Sequence, residues 1–214
     1  MIVPYIGAMN TIELASNPPK RGRPRTFDMD AALDRAIVAF SERGYHGTSI
    51  ADLSDAMELT TGSIYKAFGD KRGVLLEAFA RYRKVRRGLL VTAIEHMQTG
   101  REKIRGVLAF YAEAACGGSG QRGCLVVAMA TELAATDALA ARDVDEAHAS
   151  NEGFLRELIL LGQRDGSIGP GIDAASTARA MLCLQQGMRV VGKTSSRSRE
   201  DMGRIVDVAM GMLG

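Results

Sequence analysis

The sequence has few of the residues that build metal centres and no apolar run long enough to cross a membrane. Its three cysteines and three histidines do not show metal-ligand spacing, so we expect no metal ion or other cofactor. No segment approaches the roughly 18 apolar residues of a membrane span, and the N-terminus lacks the pattern of a secretory signal. We therefore expect a cytoplasmic protein without a membrane partner. The reducing environment of the cytoplasm disfavours a structural disulfide.

The sequence also lacks a defensible catalytic grouping of serine, histidine and carboxylate, so an enzyme is not expected. Residues 118–123 do match the dinucleotide fingerprint G-x-G-x-x-G. That fingerprint requires a strand before the glycines, whereas the pattern upstream is helical, and we interpret the segment as a flexible interhelical loop. The alternative function, a small-molecule-binding or redox enzyme built on the helical body, depends on this match and on the cysteines.

The composition is that of an ordinary globular protein, with 46% hydrophobic and 24% charged residues in a chain of 214. The net charge of +2 conceals an asymmetry along the chain. Residues 20–87 contain 14 Lys and Arg against 9 Asp and Glu, a net charge of +5, and residues 88–214 contain 13 against 15. A basic front half is suited to a phosphate backbone.

Helical periodicity extends through the chain and no strand period is found, so we predict an all-α protein of about nine helices. Within the helix at 70–95, the basic segment 81–87 is interpreted as a solvated face. Two short helices are expected within 48–69, and the longer predicted helices span 28–43, 70–95, 101–116, 123–135, 138–165, 173–192 and 198–212.

Residues 48–71 predict two short helices joined by a tight turn. Thr48 or Ser49 can cap the first helix, with Asp52 as an acidic variant of the capping box. The turn begins at Glu58. This arrangement follows a basic tail and precedes a long helix, which indicates a DNA-binding head.

The second short helix is capped by Thr60 or Thr61 and ends at Gly69. Its Ile64 and Phe68 are expected to point into the core. The other face carries small or hydrogen-bonding residues that suit a major groove: Thr61, Gly62, Ser63, Tyr65 and Lys66.

This stretch closely resembles the helix-turn-helix of the TetR family of transcriptional repressors, over roughly residues 28–80. The sequence departs from the family at Glu58, where members usually carry glycine because the backbone often has positive φ. The residues that match are Thr48, Ser49, Ile50, Gly62, Ser63, Ile64, Tyr65, Phe68 and Lys71, together with Ala36, Phe40, Gly44 and Tyr45 upstream.

The resemblance implies a homodimer that binds double-stranded DNA at a palindromic operator. It also implies that the last two long helices, 173–192 and 198–212, form a four-helix interface between subunits. By the match to the family, Thr61, Gly62, Ser63 and Lys66 reach base edges, and Thr48, Tyr65 and Lys71 anchor the DNA backbone.

Residues 1–25 are expected to form a disordered basic arm. It ends in a run of Arg21, Arg23 and Arg25 around glycine and proline, which resembles the core of an AT-hook. Arginines in such an extended arm fit a narrow minor groove. The competing interpretation is a solvated basic tail.

Residues 26–72 are predicted to form the helix-turn-helix domain and residues 73–214 a helical effector-binding and dimerisation domain. An unknown small molecule would regulate the protein. The resemblance implies a repressor, with an activator as the alternative that the sequence leaves open. Candidate cavity residues, for each of which core packing is the competing interpretation, are Cys124, Met129, His148, Phe154, Met181, Gln185 and Met188.

Cys124 opens a helix beside Arg122, in a Gly-Cys-Leu sequence that is common in branches of the family, some of which sense electrophiles or oxidants. A helix N-terminus and an arginine both favour the reactive thiolate. A thiol-reactive effector is therefore a second possibility, with Cys116 as the resolving partner, whereas a buried structural role is the competing interpretation. Cys183 is expected in the core.

Overall fold

The computed structural model describes residues 28–194 and 197–214, which form ten α-helices and one 3₁₀ turn and contain no strand. The all-α prediction is confirmed. The helices are α1 (Met29–Arg43), α2 (Ile50–Met57), α3 (Thr61–Phe68), α4 (Lys71–Ile94), α5 (Gly100–Ala114), α6 (Gly117–Arg122), α7 (Leu125–Glu132), α8 (Ala138–Asp165), α9 (Ala174–Thr194) and α10 (Arg199–Met210), followed by the 3₁₀ turn Gly211–Leu213.

Side-chain caps set where the helices begin. Ser49 caps α2 and exchanges hydrogen bonds with Asp52, which confirms the predicted capping box. Thr60 caps α3 and Asp70 caps α4. Because these residues satisfy amides that have no partner within the helix, the short helices of the head have defined ends.

The head consists of α1, α2, α3 and the first part of α4, packed around Phe40, Leu53, Ile64 and Phe79, which are at most 2% exposed. This hydrophobic cluster continues into the body, because it includes five buried residues of α7, α8 and their connection. They are Leu125, Met129, Leu133, Ala140 and Val144.

The body is a bundle in which α5, α8, α9 and α10 surround a second buried cluster. Leu108, Leu155, Ile159 and Met181 lie at its centre and are fully buried. The long helix α4 belongs to both units, since Val74 and Phe79 pack in the head cluster and its C-terminal end packs in the body cluster.

The glycine-rich segment differs from the prediction, because residues 117–122 form a short helix rather than a flexible loop. A Cβ atom added to Gly120 would lie 2.3 Å from the carbonyl oxygen of Ala115 and 3.0 Å from that of Gly192. The glycine is therefore required because α6 packs closely against the end of α5 and against α9. This extra helix accounts for the difference between the predicted nine and the observed ten.

No helix in residues 28–194 or 197–214 is long and apolar enough to cross a membrane.

Candidate nucleic-acid interface and effector cavity

The turn between α2 and α3 is held by Glu58 in the left-handed conformation, with φ 56° and ψ 41°. In the described part of the chain it is the one residue other than glycine with positive φ. The expectation that Glu58 occupies a glycine-like position is confirmed. Its carboxylate lies 3.3 Å from the guanidinium of Arg35 on α1, and the side chain is otherwise exposed.

Helix α3 presents a small and polar face to solvent. Thr61, Gly62, Tyr65 and Lys66 are exposed, and Ser63 is half-buried with its hydroxyl 2.9 Å from that of Thr60. A Cβ atom on Gly62 would meet nothing closer than 4.0 Å. The absence of a side chain at Gly62 is therefore not required by packing within the protein.

Thr48 does not present its side chain to solvent. It is fully buried, and its hydroxyl donates a 2.6 Å hydrogen bond to the carbonyl of Gly44. The Thr48 side chain therefore fixes the connection between α1 and α2, and its contact with the DNA backbone stays a prediction.

Lys71 is partly occupied within the head. Its ammonium donates hydrogen bonds of 2.9 Å to the carbonyls of Tyr45 and Thr48 and lies 4.1 Å from the centre of the Tyr45 ring. Since an ammonium has three donors, one remains for an external acceptor. The predicted contacts of Arg21, Arg23 and Arg25 lie outside the described residues.

The basic segment of α4 is only partly a solvated face: Lys84 and Arg87 are exposed, but the first arginine is not. Arg81 is only 12% exposed and binds Asp34 of α1 through two hydrogen bonds of 2.7 and 2.6 Å. A third nitrogen lies 2.8 Å from Asp30. The first arginine of the segment therefore joins α4 to α1.

The rest of this segment borders a cavity of about 400 Å³ among α4, α5, α7, α8 and α9. Polar lining residues come from four of these helices and from Cys124, the residue that caps α7. The polar or charged residues that line the cavity are Tyr82, Arg83, Lys84, Arg86, Arg87, Tyr111, Cys124, His148, Ser150, Asn151 and Gln186.

Of the predicted cavity residues, Cys124 and His148 line it. Phe154 lies behind the lining, where the guanidinium of Arg87 covers its ring at 3.7 Å. Gln185 is fully buried and accepts a hydrogen bond from Asn151, which also binds the hydroxyl of Tyr111. The other three predicted residues do not line this cavity and lie in the hydrophobic clusters: Met129, Met181 and Met188.

The prediction missed Tyr82, Arg86, Tyr111 and Asn151. Tyr82 and Arg86 are four residues apart on α4, and that spacing places two side chains on one helix face. The sequence therefore contained a signal for this face. Asn151 and Tyr111 meet only because α5 and α8 pack together.

Cys124 lies in an unusual electrostatic environment. Burial raises the pKa of its thiol, but the charge of Arg189, the hydrogen bond from Tyr82 and the charge of Arg86 lower it by more, so the net pKa lies below the ordinary value. The predicted neighbour Arg122 is not among these causes. The thiolate is thus favoured by arginines on α9 and α4.

The other two cysteines differ from Cys124. Burial and the charge of Glu113 raise the pKa of Cys116, whose thiol donates to the carbonyl of Ala112 at 3.3 Å. Cys183 is exposed on α9, so the expectation that it lies in the core is wrong. Cys124 alone of the three lines the cavity.

Polar contacts connect the head to the body. Arg72 at the start of α4 binds Asp137, the cap of α8, through hydrogen bonds of 2.5 and 2.8 Å. Lys193 of α9 donates to the carbonyl of Ser41 at 2.7 Å, and the amide of His46 donates to Glu132 at 3.0 Å. These contacts link α7, α8 and α9 of the body to the start of α4, to α1 and to its C-terminal connection.

The chain matches two family models. The model for bacterial regulatory proteins of the tetR family matches residues 32–78, and that for the tetracyclin repressor-like C-terminal domain matches residues 100–201. Together they cover more than half of the chain.

Similar proteins agree with these matches. The HTH-type transcriptional repressor ComR of Escherichia coli is 30% identical over 88% of this chain and 89% of its own length. The uncharacterized regulator YezE of Bacillus subtilis is 26% identical over 90% and 99%. A cysteine mutant of the regulator CifR, solved with 26-bp operator DNA, superposes with a TM-score of 0.77 at 31% identity, over 88% of this chain and 98% of CifR. The chain therefore belongs to the TetR family of transcriptional regulators, and it is not an enzyme.

Proposed function

We propose that this DNA-binding regulator is a repressor that binds a palindromic operator as a homodimer and releases it when an effector occupies the body cavity. The observation that carries the proposal is the exposed face of α3, formed by Thr61, Gly62, Tyr65 and Lys66 on a head fixed to α4. The repressor function of ComR and the operator complex of CifR support the same assignment.

The residues of α3 and Lys71 at the start of α4 have separate roles in DNA binding. Thr61, Ser63 and Lys66 contact base edges, and Gly62 allows the helix backbone to approach the groove. Tyr65 binds a phosphate through its hydroxyl, and Lys71 supplies its remaining donor to another. The basic arm at 21–25 adds minor-groove contacts beside each head.

The dimer interface is proposed for the outer faces of α9 and α10. Val190 is 45% exposed on α9, and Val208 and Met212 are 77% and 41% exposed at the C-terminus. Gly187, which has no side chain, and Cys183, which has a small one, lie on the outer face of α9, and this permits close packing of helices. Two heads related by a two-fold axis then face two half-sites of the operator.

The effector acts through helices that contact both the cavity and the head. Cys124 begins α7, whose Leu125 and Met129 pack in the head cluster. Arg189 and Lys193 lie four residues apart on α9, and Lys193 binds the C-terminal end of α1. A ligand that prefers a different position of α7 or α9 therefore changes the separation of the two heads.

A thiol-reactive effector is the second candidate, favoured by the position of Cys124 in the cavity and by its lowered pKa. With an activated alkene, the thiolate electron pair forms an S–C bond, and the alkene π pair takes a proton from water. The product is neutral, so Arg189 loses the negative charge beside it. Mass spectrometry after limited iodoacetamide treatment should find Cys124 alkylated before Cys116, whose pKa is raised; the reverse order would argue against this route.

The test of DNA recognition is a selection of DNA fragments by the purified protein across a salt series, with Gly62→Ala as the main variant. Space around Gly62 allows the methyl group, and alanine is the better helix residue by about 1 kcal/mol. We expect equal or higher stability but weaker operator binding. Gly153→Ala, on an open face of α8, is the matched control and should bind as the wild type does.

A palindrome enriched by the wild type and by Gly153→Ala but lost or weakened in Gly62→Ala supports the proposal. Lys66→Ala should relax the preference at one base pair, at a cost of about 1–3 kcal/mol. If no sequence is enriched at any salt concentration, or if Gly62→Ala selects the same sites with equal affinity, the assignment of α3 is wrong.

A further inference from the structure

The cavity has an unbalanced charge. Four cationic side chains line it, all from α4, and no aspartate or glutamate is among the lining residues. Arg83 has a carboxylate partner, Glu146, at 3.7 Å on the rim. Arg86 and Arg87 have no ion pair with any carboxylate in the part of the chain that the structure describes. Cationic side chains without a counter-charge around a cavity favour an anion inside it.

Aromatic rings hold the two unpaired arginines in place. The guanidinium of Arg86 lies 4.3 Å from the centre of the Phe110 ring and 5.8 Å from that of Tyr111. Arg87 lies 3.7 Å from the centre of the Phe154 ring. Stacking covers one face of a guanidinium and leaves the N–H donors at its edge available for a carboxylate. The arginines are thus ordered without their hydrogen-bonding capacity being used.

Buried polar groups around the cavity also lack partners. Arg189 is only 4% exposed, and its Nε and Nη1 atoms have no hydrogen-bond acceptor, although another nitrogen donates to the carbonyl of Gly123. The carboxamide oxygen of Gln186, a lining residue, is buried without a donor. A buried polar group without a partner is costly, so a bound molecule that also donates a hydrogen bond to the Gln186 oxygen is stabilised here. Arg189 does not line the cavity and supplies the positive charge beside Cys124.

Cys124 does not cancel this charge. Even as a thiolate it contributes one negative charge, and Arg189 is the positive charge that lowers its pKa most. Burial lowers the pKa of His148, which therefore adds little positive charge near neutral pH. Arg86 and Arg87 remain uncompensated, whereas Leu90, Val126 and Ala147 provide apolar wall.

We propose that this cavity binds an organic acid, a carboxylate carried on an apolar or aromatic body, with Arg86 and Arg87 as the ligands of the carboxylate. The body lies against Tyr82, Tyr111 and the apolar wall. The proposal rests on the assignment of the cavity as the effector site and specifies the chemical class of the effector.

The test measures direct binding to the full-length protein without DNA, by calorimetry and by the change in Tm. The probes are 2-naphthoate, 4-phenylbutyrate and octanoate, each paired with its primary amide, which has nearly the same shape and no charge. At least one acid should bind about tenfold or more tightly than its amide, because the carboxylate accepts charge-assisted hydrogen bonds from the arginines that a neutral amide accepts more weakly. Bound acid should also slow alkylation of Cys124 by iodoacetamide.

The variants Arg86→Gln and Arg87→Gln should each reduce the affinity for the acid about tenfold and leave the affinity for the amide unchanged. Arg156→Gln is the matched control, because Arg156 is an exposed arginine of α8 that does not line the cavity. The inference is overturned if no acid binds, if acid and amide bind equally, or if the acid preference survives both substitutions.

Operator binding is measured separately on the same preparations. If the acids bind as expected but the protein selects no operator, the cavity assignment stands and the regulatory function fails. If operator is selected and a bound acid leaves its affinity unchanged, the anion site stands but the acid is not the effector.

Discussion

Arginines of the same helix have opposite surroundings in the head and at the cavity. Arg72 and Arg81 of α4 each bind a carboxylate through two hydrogen bonds. Less than two turns beyond Arg81, Arg86 and Arg87 lie on aromatic rings without a carboxylate partner in residues 28–194 and 197–214. We infer that paired arginines hold the head to its neighbours and that unpaired ones serve a ligand.

Replacement of a paired arginine should give the largest effect. Arg81→Gln removes three contacts to α1 and leaves Asp30 and Asp34 close together without a positive charge. We expect a loss of about 3 kcal/mol in the free energy of unfolding, measured by urea denaturation. Operator binding should weaken too, because α1 supports the head. A loss below about 1 kcal/mol would remove the distinction between the two groups of arginines.

The second contact of this type is tested by Asp137→Asn, which keeps a good helix cap and removes the charge. We expect a loss of about 2 kcal/mol near neutral pH. The hydrogen bonds from Arg72 lower the pKa of Asp137 in the folded protein. The ion pair therefore contributes its full stability at pH values above the pKa of aspartate in the unfolded chain, which is about 4. That contribution is lost as the pH falls through the folded-state pKa. The difference between wild type and variant should therefore shrink in acid; a constant difference would contradict this explanation.

The turn of the head gives a smaller effect of opposite sign. Glu58→Gly should raise the free energy of unfolding by about 1 kcal/mol, because left-handed backbone costs a residue with a Cβ atom about 1–2 kcal/mol, and the exposed ion pair to Arg35 is worth less. Asp55→Gly, at an ordinary helical position of α2, is the control and should destabilise by about 0.3 kcal/mol, because aspartate is itself a poor helix former. Equal effects of the two substitutions would show that Glu58 is not strained.

The smallest effect is expected for the unpaired arginine. Arg87→Gln removes a cation–π contact that is worth about 0.5–1 kcal/mol at an exposed site. Urea denaturation without ligand should show a change no larger than that. A loss comparable to that of Arg81→Gln would mean that Arg87 has a structural role, and the contrast along α4 would disappear.

The sequence predicted features that depend on local spacing. The Ser49 and Asp52 capping box and the span of α8 follow from neighbours within a few positions. These interactions require no knowledge of the tertiary structure. The positive φ of Glu58 is instead implied by the resemblance to the family.

The sequence could not predict features that depend on distant partners. The sequence predicts a solvated basic segment in α4 because the partner of Arg81, Asp34, is 47 positions away. The charges that lower the pKa of Cys124 come from α4 and α9, not from neighbouring Arg122. The sequence predicts a loop at residues 118–123 because the close packing of Gly120 involves α9, which is distant along the chain.

α1 to α3 share a hydrophobic cluster with α7 and α8, so the head cannot be transferred to another protein without part of the body. Leu125, Met129, Leu133, Ala140 and Val144 complete the packing beneath the head. A fragment ending near residue 72 would expose the surfaces that they cover. A chimaera that combines this head with another body should therefore retain residues 125–144. Transfer of the DNA specificity thus requires part of the effector-binding body as well as the head.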